Sequence, residues 1–155
     1  MVSITVISVG KIKEKFFTSA IEEYAKRLTR YCNLNIVEVK DEATEGNKAV
    51  VLEKEATRIE EKIPENAKVI TLCVEGKQKS SEDFSKYLDN LMVTGTAKIV
   101  FIIGGSMGLH ERIKEKSALR LSFSEMTFPH QLMRVVLLEQ IYRAFTIIEG
   151  KTYHK

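Results

Sequence analysis

Two hydrophobic patterns alternate along this chain. Short apolar runs rich in β-branched residues predict strands, and apolar residues that recur every three or four positions predict amphipathic helices. Strands are predicted at 3–9, 34–39, 69–74, 98–103 and around 121–123. Helices are predicted between them, at about 16–28, 48–63 and 109–119, with another that opens at 80–83 and stops near Gly95, and a last helix opened by Pro129. Because the two kinds of element alternate, we expect an α/β fold with a mainly parallel sheet flanked by helices.

Turn-forming and capping residues set the expected ends of these elements. Gly76 is expected to close the third strand, and Pro64 to stop the second helix. The run Ser80-Ser81-Glu82-Asp83 is a capping pattern that is typical of a helix start. The polar segment 41–47 is predicted to be a surface loop. Since the chain shows no linker and no repeat, residues 1–155 are expected to form a single domain.

The two most apolar elements indicate what lies at the centre of the fold. The strand at 98–103 is the most apolar and is expected in the middle of the sheet. The last helix is apolar on more than one face, through Leu132, Val135, Val136, Leu138, Ile141, Tyr142, Phe145 and Ile148. Such a helix needs partners on two sides. One side is expected to be the sheet, and the other most simply a second subunit.

Composition narrows the class of protein. With 44% hydrophobic and 29% charged residues, the chain has the make-up of an ordinary soluble domain. Its apolar runs are far shorter than the ~20 residues that cross a bilayer, and its start predicts a strand rather than a signal peptide. Cys32 and Cys73 are too few for a disulfide framework and are expected to be reduced core or near-core residues. A cytoplasmic protein without membrane contact is therefore expected.

The charge pattern permits a nucleic-acid partner without requiring one. The formal net charge is only +3. Lys11, Lys13 and Lys15 cluster after the first strand, while Arg134 and Arg143 lie along the last helix. Scattered lysines usually form a solvated surface. Taken alone, the two arginines favour surface or interface ion pairs.

Candidate chemistry gathers where the predicted strands end. Parallel sheets bind ligands outside the carboxyl ends of their strands. There the chain places a glycine turn, Gly104-Gly105, and a segment of hydroxyl and large apolar groups that suits a nucleoside, 121–130. The expected pocket centres on Leu72, Gly104 and Phe123.

Several common sites are disfavoured by the same reading. The glycines at 104, 105 and 108 follow a late strand, not the first, and lack dinucleotide-binding spacing. The chain has no P-loop and no paired cysteine motif, and its three histidines are too scattered for a preassembled zinc site. We therefore expect no metal.

A combination of motifs resembles a known family. The motifs are the glycine turn from Ile103 to Leu109, the segment from Leu121 to Arg134, the run from Glu139 to Ala144, and the tail Tyr153-His154-Lys155. Together with Val9-Gly10-Lys11 near the start, they closely resemble the small SPOUT methyltransferases of the RlmH kind along the full length. No single motif would be specific, but the combination is.

The resemblance implies a fold, a reaction and a set of residues. It implies a SPOUT-type domain with a carboxyl-terminal trefoil knot, acting as a homodimer through its last helix. The reaction implied is S-adenosylmethionine-dependent methylation of N3 of a pseudouridine in 23S ribosomal RNA on the assembled ribosome. The implied cofactor-binding residues are Leu72, Gly104, Phe123, Ser124, Glu125, Met126, Thr127 and Phe128.

Catalytic roles are less narrowly defined. Methyl transfer to a ring nitrogen requires loss of the N3 proton, and His154 and His130 are candidates to assist. Arg143 or Lys155 is a candidate to stabilise charge on the uracil oxygens, and Tyr153 to stack on a base. Positioning alone is an open alternative, and helix capping is another for His130. The tail is expected to reach the partner's pocket. Two further functions stay open: methylation of transfer RNA or another ribosomal site, and a ribosome-binding factor without turnover.

Overall fold

A computed structural model of the chain describes residues 1–42 and 46–155. The predicted loop 41–47 lies partly outside the described residues. Five strands alternate with five helices, in the order β1 (Ser3–Val9), α1 (Lys15–Leu28), β2 (Asn33–Val39), α2 (Lys48–Glu60), β3 (Lys68–Gln78), α3 (Ser81–Val93), β4 (Lys98–Ile103), α4 (Glu111–Glu115), β5 (Leu119–Ser122) and α5 (His130–Ile148).

The five strands form one sheet in the order β2-β1-β4-β3-β5, and every pair is parallel. The predicted α/β class is therefore confirmed, and so is the central position of β4. Ser3 of β1 lies opposite Lys98 of β4, so the carboxyl ends of the strands meet at one edge. That edge is where a parallel sheet offers room for a ligand.

Helices cover both faces of the sheet. Helices α1, α3 and α5 pack over one face, where Phe101 and Leu137 lie in the larger apolar cluster. Helices α2 and α4 contribute Ala56 and Ile113 to a second cluster on the other face. Cys32 is buried and Cys73 is half-buried, and both are free thiols. In the described part of the chain, no helix is long and apolar enough to span a membrane.

Helix α5 has three kinds of neighbour within its own chain. It packs between α1 and α3 and also contacts β4. Tyr142 lies against Tyr24, Tyr31 and Tyr153, with ring centroids 4.9–6.4 Å apart. Part of the two-sided apolar pattern is therefore explained without a second subunit.

Element ends differ from the predictions at three places. Helix α2 stops at Glu60 rather than Ile63, because the last amides bond three residues back and tighten the chain before Pro64. Strand β3 continues through Gly76 to Gln78. A Cβ at Gly76 would lie 2.6 Å from the Arg120 carbonyl oxygen, so this glycine permits close pairing with β5 instead of ending the strand.

The third difference is α4, which spans only Glu111–Glu115 instead of about 109–119. The amide of Ala118 donates to the carbonyl of Val69, and β5 begins at Leu119. Strand pairing with β3 therefore replaces the helical continuation. His110, which was not predicted as a cap, accepts from the Arg112 amide at 3.0 Å and starts the helix.

Candidate active site

A cavity of about 240 Å³ opens at the carboxyl edge of the sheet, beyond β3, β4 and β5. Its walls come from the ends of these strands, the glycine turn after β4, the loop before α5 and the first residues of α5. Eight of the lining residues carry a Leu, Ile, Phe or Met side chain: Leu72, Ile103, Leu109, Leu121, Phe123, Met126, Phe128 and Met133. Glycine backbone, small hydroxyl groups and a few charged side chains add polar surface to the wall, a mixture that suits a partly polar organic ligand.

The glycine turn brings the backbone close to the cavity. A Cβ at Gly104 would lie 2.5 Å from the Gly108 carbonyl oxygen and 3.0 Å from Leu109 Cγ. Gly108 has a φ of +83° and its amide donates to the Gly105 carbonyl oxygen at 3.0 Å. Any larger residue at position 104 would therefore open the turn.

Most of the residues assigned to cofactor binding come together on this cavity. Leu72, Gly104, Phe123, Ser124, Met126, Thr127 and Phe128 all line it. Glu125 is exposed on the same loop. Within that loop Ser122 Oγ donates to the Ser124 carbonyl oxygen at 3.0 Å, and Ser124 Oγ accepts from the Met126 amide at 2.9 Å. The serines thus shape the loop that carries the apolar side chains.

Several lining residues were not predicted. Cys73, next to Leu72, contributes a thiol whose pKa is raised by burial. Glu75 and Lys114 form an ion pair at 2.5 Å on the wall, and hydrogen bonding from Lys114 lowers the pKa of Glu75. Glu75 comes just after the predicted strand 69–74, so its place at the cavity was predictable, because residues that follow parallel strands meet at one edge.

His130 and Arg134 lie one turn apart at the start of α5, but their side chains contact different parts of the protein. His130 lines the cavity, and burial together with the nearby Arg134 lowers its pKa, so the ring is neutral at pH 7. Pro129 is the residue at the N-cap and α5 has no side-chain cap hydrogen bond in the described chain. The structure therefore gives His130 a place on the cavity wall rather than a capping contact.

Arg134 forms an ion pair with Glu38, as expected, but the expectation that its side chain lies on the surface of the chain is wrong. Its side chain is 3% exposed. The guanidinium donates to the carbonyl oxygens of Val9 and Gly10, at 2.9 and 2.8 Å, and to Glu38 at 2.7 Å. These hydrogen bonds from Arg134 therefore connect α5 to the carboxyl ends of β1 and β2, beside the cavity.

The tail residues lie apart from the cavity of their own chain. Tyr153 Oη donates to Glu139 at 2.7 Å, and Arg143 Nη1 lies 3.0 Å from His154 Nδ1. His154 Nε2 in turn lies 2.5 Å from Glu82 of α3. The structure thus groups Tyr153, His154 and Arg143 with each other, and places His130 on the same cavity as the residues expected to bind the cofactor.

Fold and cavity define a class of protein: a parallel α/β domain with a ligand-binding cavity of about 240 Å³ behind a glycine turn. Residues 2–154 match the family described as "Predicted SPOUT methyltransferase". A solved structure titled a probable methylase family protein from Haemophilus influenzae Rd KW20 has the same fold, with a TM-score of 0.57, 12% identity, and coverage of 98% of this chain and 70% of that one.

Curated relatives narrow the family further. Proteins named ribosomal RNA large subunit methyltransferase H, from Clostridium botulinum (strain Alaska E43) and Clostridium beijerinckii, are each 54% identical over 99% of both chains. A Methanococcus maripaludis protein with the same name, marked putative, is also 54% identical over 99% of both chains. This chain therefore belongs to the SPOUT methyltransferases, and within them to the RlmH type. SPOUT methyltransferases use S-adenosylmethionine as a family property.

Proposed function

We propose that this protein methylates N3 of a pseudouridine in 23S ribosomal RNA, on the assembled ribosome, with S-adenosylmethionine as methyl donor. The observation that carries the proposal is the glycine-backed cavity at the carboxyl edge of the sheet in a chain 54% identical to proteins named for ribosomal RNA methylation. The base, the position and the state of the ribosome rest on the family resemblance.

The cavity fits the proposed cofactor chemically. The crowded backbone at Gly104 leaves no space for a side chain, so this residue lines the cavity through its backbone. Leu72, Leu121 and Phe123 provide apolar walls for a purine ring or a thioether chain. When bound there, S-adenosylmethionine would supply an electrophilic methyl group on a sulfonium.

The chain's own residues would then orient the RNA base and manage a proton. In the transfer, a bond forms between N3 and the methyl carbon as the carbon–sulfur bond breaks, and the N3 proton must leave. His130 is neutral at pH 7 and lies on the cavity wall, so it is our candidate to accept that proton. Arg143 is our candidate to hold an oxygen of the RNA, because its guanidinium is a permanent cation that donates charge-assisted hydrogen bonds to oxygen acceptors.

We further propose that the active form is a homodimer. Tyr153, His154 and Arg143 lie apart from the cavity of their own chain, and the outer face of α5 keeps half-buried apolar residues such as Val135 and Val136. Pairing two copies through α5 would cover these residues and bring the tail of one copy to the cavity of the other. A trefoil knot around the carboxyl-terminal segment, as in the family, is part of the same proposal.

The experiment is methyl transfer from labelled S-adenosylmethionine to whole ribosomes, separated subunits, free 23S RNA and transfer RNA, all from cells lacking the protein. Label on whole ribosomes alone, mapped by mass spectrometry to N3 of one pseudouridine, is the expected result. Label on transfer RNA would instead identify transfer RNA as the substrate. Cofactor binding by calorimetry without transfer to any RNA would favour a ribosome-binding factor and overturn the enzymatic proposal.

A further inference from the structure

The carboxyl-terminal tail turns back on α5 through a defined helix end. Gly150, at a φ of +69°, donates its amide to the Ile147 carbonyl oxygen at 3.0 Å, and Lys151 donates to Thr146 at 2.9 Å. This pair of bonds is a Schellman ending, which reverses the chain direction after a helix. The tail therefore runs back along α5 and returns to Glu139.

Three groups of this returning tail and of α5 surround the Arg143 guanidinium. Glu139 accepts from Arg143 Nε at 2.6 Å. His154 Nδ1 lies 3.0 Å from Nη1, and the Tyr153 ring lies 4.8 Å from the guanidinium carbon. The remaining nitrogen, Nη2, has no hydrogen-bond partner among the described residues. The guanidinium is thus held at Nε, at Nη1 and over one face. Its Nη2 edge stays free to donate a hydrogen bond.

A second set of contacts orients the groups that hold Arg143. Arg143 can only donate, so His154 Nδ1 accepts and its ring proton resides on Nε2. Nε2 then donates to Glu82, and this bond lowers the pKa of that carboxyl. Tyr153 donates to Glu139, and burial with this hydrogen bond raises the pKa of Tyr153 to about 12. Every polar atom of the two tail rings is therefore engaged.

This arrangement is unlike that of a general base. A histidine that takes a proton needs a free acceptor nitrogen facing the substrate. In His154 the acceptor nitrogen is covered by a guanidinium and the other nitrogen carries the proton. The contacts instead match a side chain that holds its neighbour in place.

We propose that the tail is a positioning device for Arg143. His154 and Tyr153 hold the guanidinium, and Glu82 and Glu139 hold the two tail rings, so that the free Nη2 edge of Arg143 meets an oxygen acceptor of the RNA. Glu82 and Glu139 are new positioning residues for the reaction. The inference rests on the proposed function, because it assigns these groups to the same RNA methylation.

The decisive test replaces His154 in two ways. His154→Gln keeps one hydrogen-bond acceptor and one donor but cannot act as a base, whereas His154→Ala removes both contacts. A misplaced catalytic group can cost on the order of 100-fold in rate. We expect single-turnover methylation of ribosomes, at saturating cofactor, to fall about 100-fold in His154→Ala and less than about 5-fold in His154→Gln. Equal losses in both variants would overturn the positioning role.

Glu82 has a matched control on the same helix turn. Glu82→Ala and Asp83→Ala each remove one exposed carboxylate from the first turn of α3, so their effects on the helix end are alike. Only Glu82 contacts His154. We expect Glu82→Ala to lower kcat about tenfold, with no change in cofactor Kd, and Asp83→Ala to leave kcat unchanged. Equal kcat in the two variants would remove Glu82 from the device.

Tyr153 and Glu139 are tested by a double-mutant cycle. Tyr153→Phe and Glu139→Gln both disturb the same hydrogen bond, so the double variant should lose less kcat than the product of the single losses. Multiplicative losses would contradict the shared contact. Wild-type protein assayed in parallel separates the two levels of inference: if it methylates no RNA, the proposed function fails, and if it does so with His154→Gln inactive, only the positioning role fails.

Discussion

Arg134 offers the most direct physical test of the structure. Replacing it with Met keeps the unbranched aliphatic part of the side chain. The replacement removes three hydrogen bonds, to the carbonyl oxygens of Val9 and Gly10 and to Glu38. The bond to Val9 is buried and that to Gly10 is partly buried, so each lost donor leaves a carbonyl oxygen without that partner, which costs about 1–2 kcal/mol. Glu38 is 37% exposed and is hydrated by water once the bond is lost, so the loss of this bond adds little to the cost in unfolding free energy.

The expected loss for Arg134→Met is therefore about 2–4 kcal/mol of unfolding free energy, below the ~3–5 kcal/mol typical of breaking a fully buried pair. For a chain of this length that is a Tm decrease of roughly 5–15 °C. Urea unfolding followed by circular dichroism measures it directly. Since the contact joins α5 to the ends of β1 and β2, we expect Arg134→Met to lower the free energy of unfolding before it changes methylation of the substrate.

Two companion variants make the Arg134 test specific. Arg134→Lys keeps the charge but cannot reach all three acceptors, so its loss should fall between those of wild type and Arg134→Met. Arg120→Met removes an exposed ion pair with Glu111 and should cost less than about 1 kcal/mol. If Arg134→Met and Arg120→Met destabilise equally, the reasoning about the buried guanidinium is refuted.

Three other predictions concern the cavity and the tail. Gly104→Ala should abolish S-adenosylmethionine binding in calorimetry, because its Cβ meets the Gly108 backbone, whereas Ser106→Ala should bind normally; binding by both would contradict the close approach. Gly150→Ala should cost about 1–2 kcal/mol at a positive φ and slow methylation while leaving cofactor affinity intact. An effect on affinity instead would place the tail at the cofactor. Because the pKa of His130 is lower in the folded than in the unfolded chain, the unfolded chain takes up the proton first as the pH falls. The contribution of His130 to the free energy of unfolding is therefore fully present above about pH 6.5 and is lost below it. His130→Asn should flatten urea midpoints between pH 5 and 7, and an unchanged slope would show that the burial has no such effect.

Elements whose boundaries depend on local chemistry were predictable from sequence. Ser80 accepts from the Asp83 amide at 3.0 Å, as its capping pattern indicates, and α3 begins at the next residue. The apolar run of β4 likewise reports burial on both faces. Boundaries set by distant partners were not predictable. The end of α4 depends on the Ala118 amide finding Val69, and the length of β3 depends on how closely Arg120 approaches Gly76.

The same distinction applies to the candidate site. Leu72, Gly104 and Phe123 were each assigned to the carboxyl end of an apolar strand, so parallel-sheet geometry predicted that they would meet, and they line one cavity. The surroundings of Arg134 and His154 were hidden, because their partners Glu38 and Glu82 lie more than 70 positions away along the chain. Sequence spacing gives no measure of such contacts.

The strand order β2-β1-β4-β3-β5 has a consequence for how the chain acquires its structure during synthesis. Each of the other neighbouring pairs joins nearby parts of the chain, but β1 meets β4, nearly a hundred positions later. The amino-terminal strand therefore keeps one bare edge while most of the protein is still being translated. Parallel contacts of such high contact order close slowly. The meeting of β1 with β4 is thus expected to be a slow step of folding.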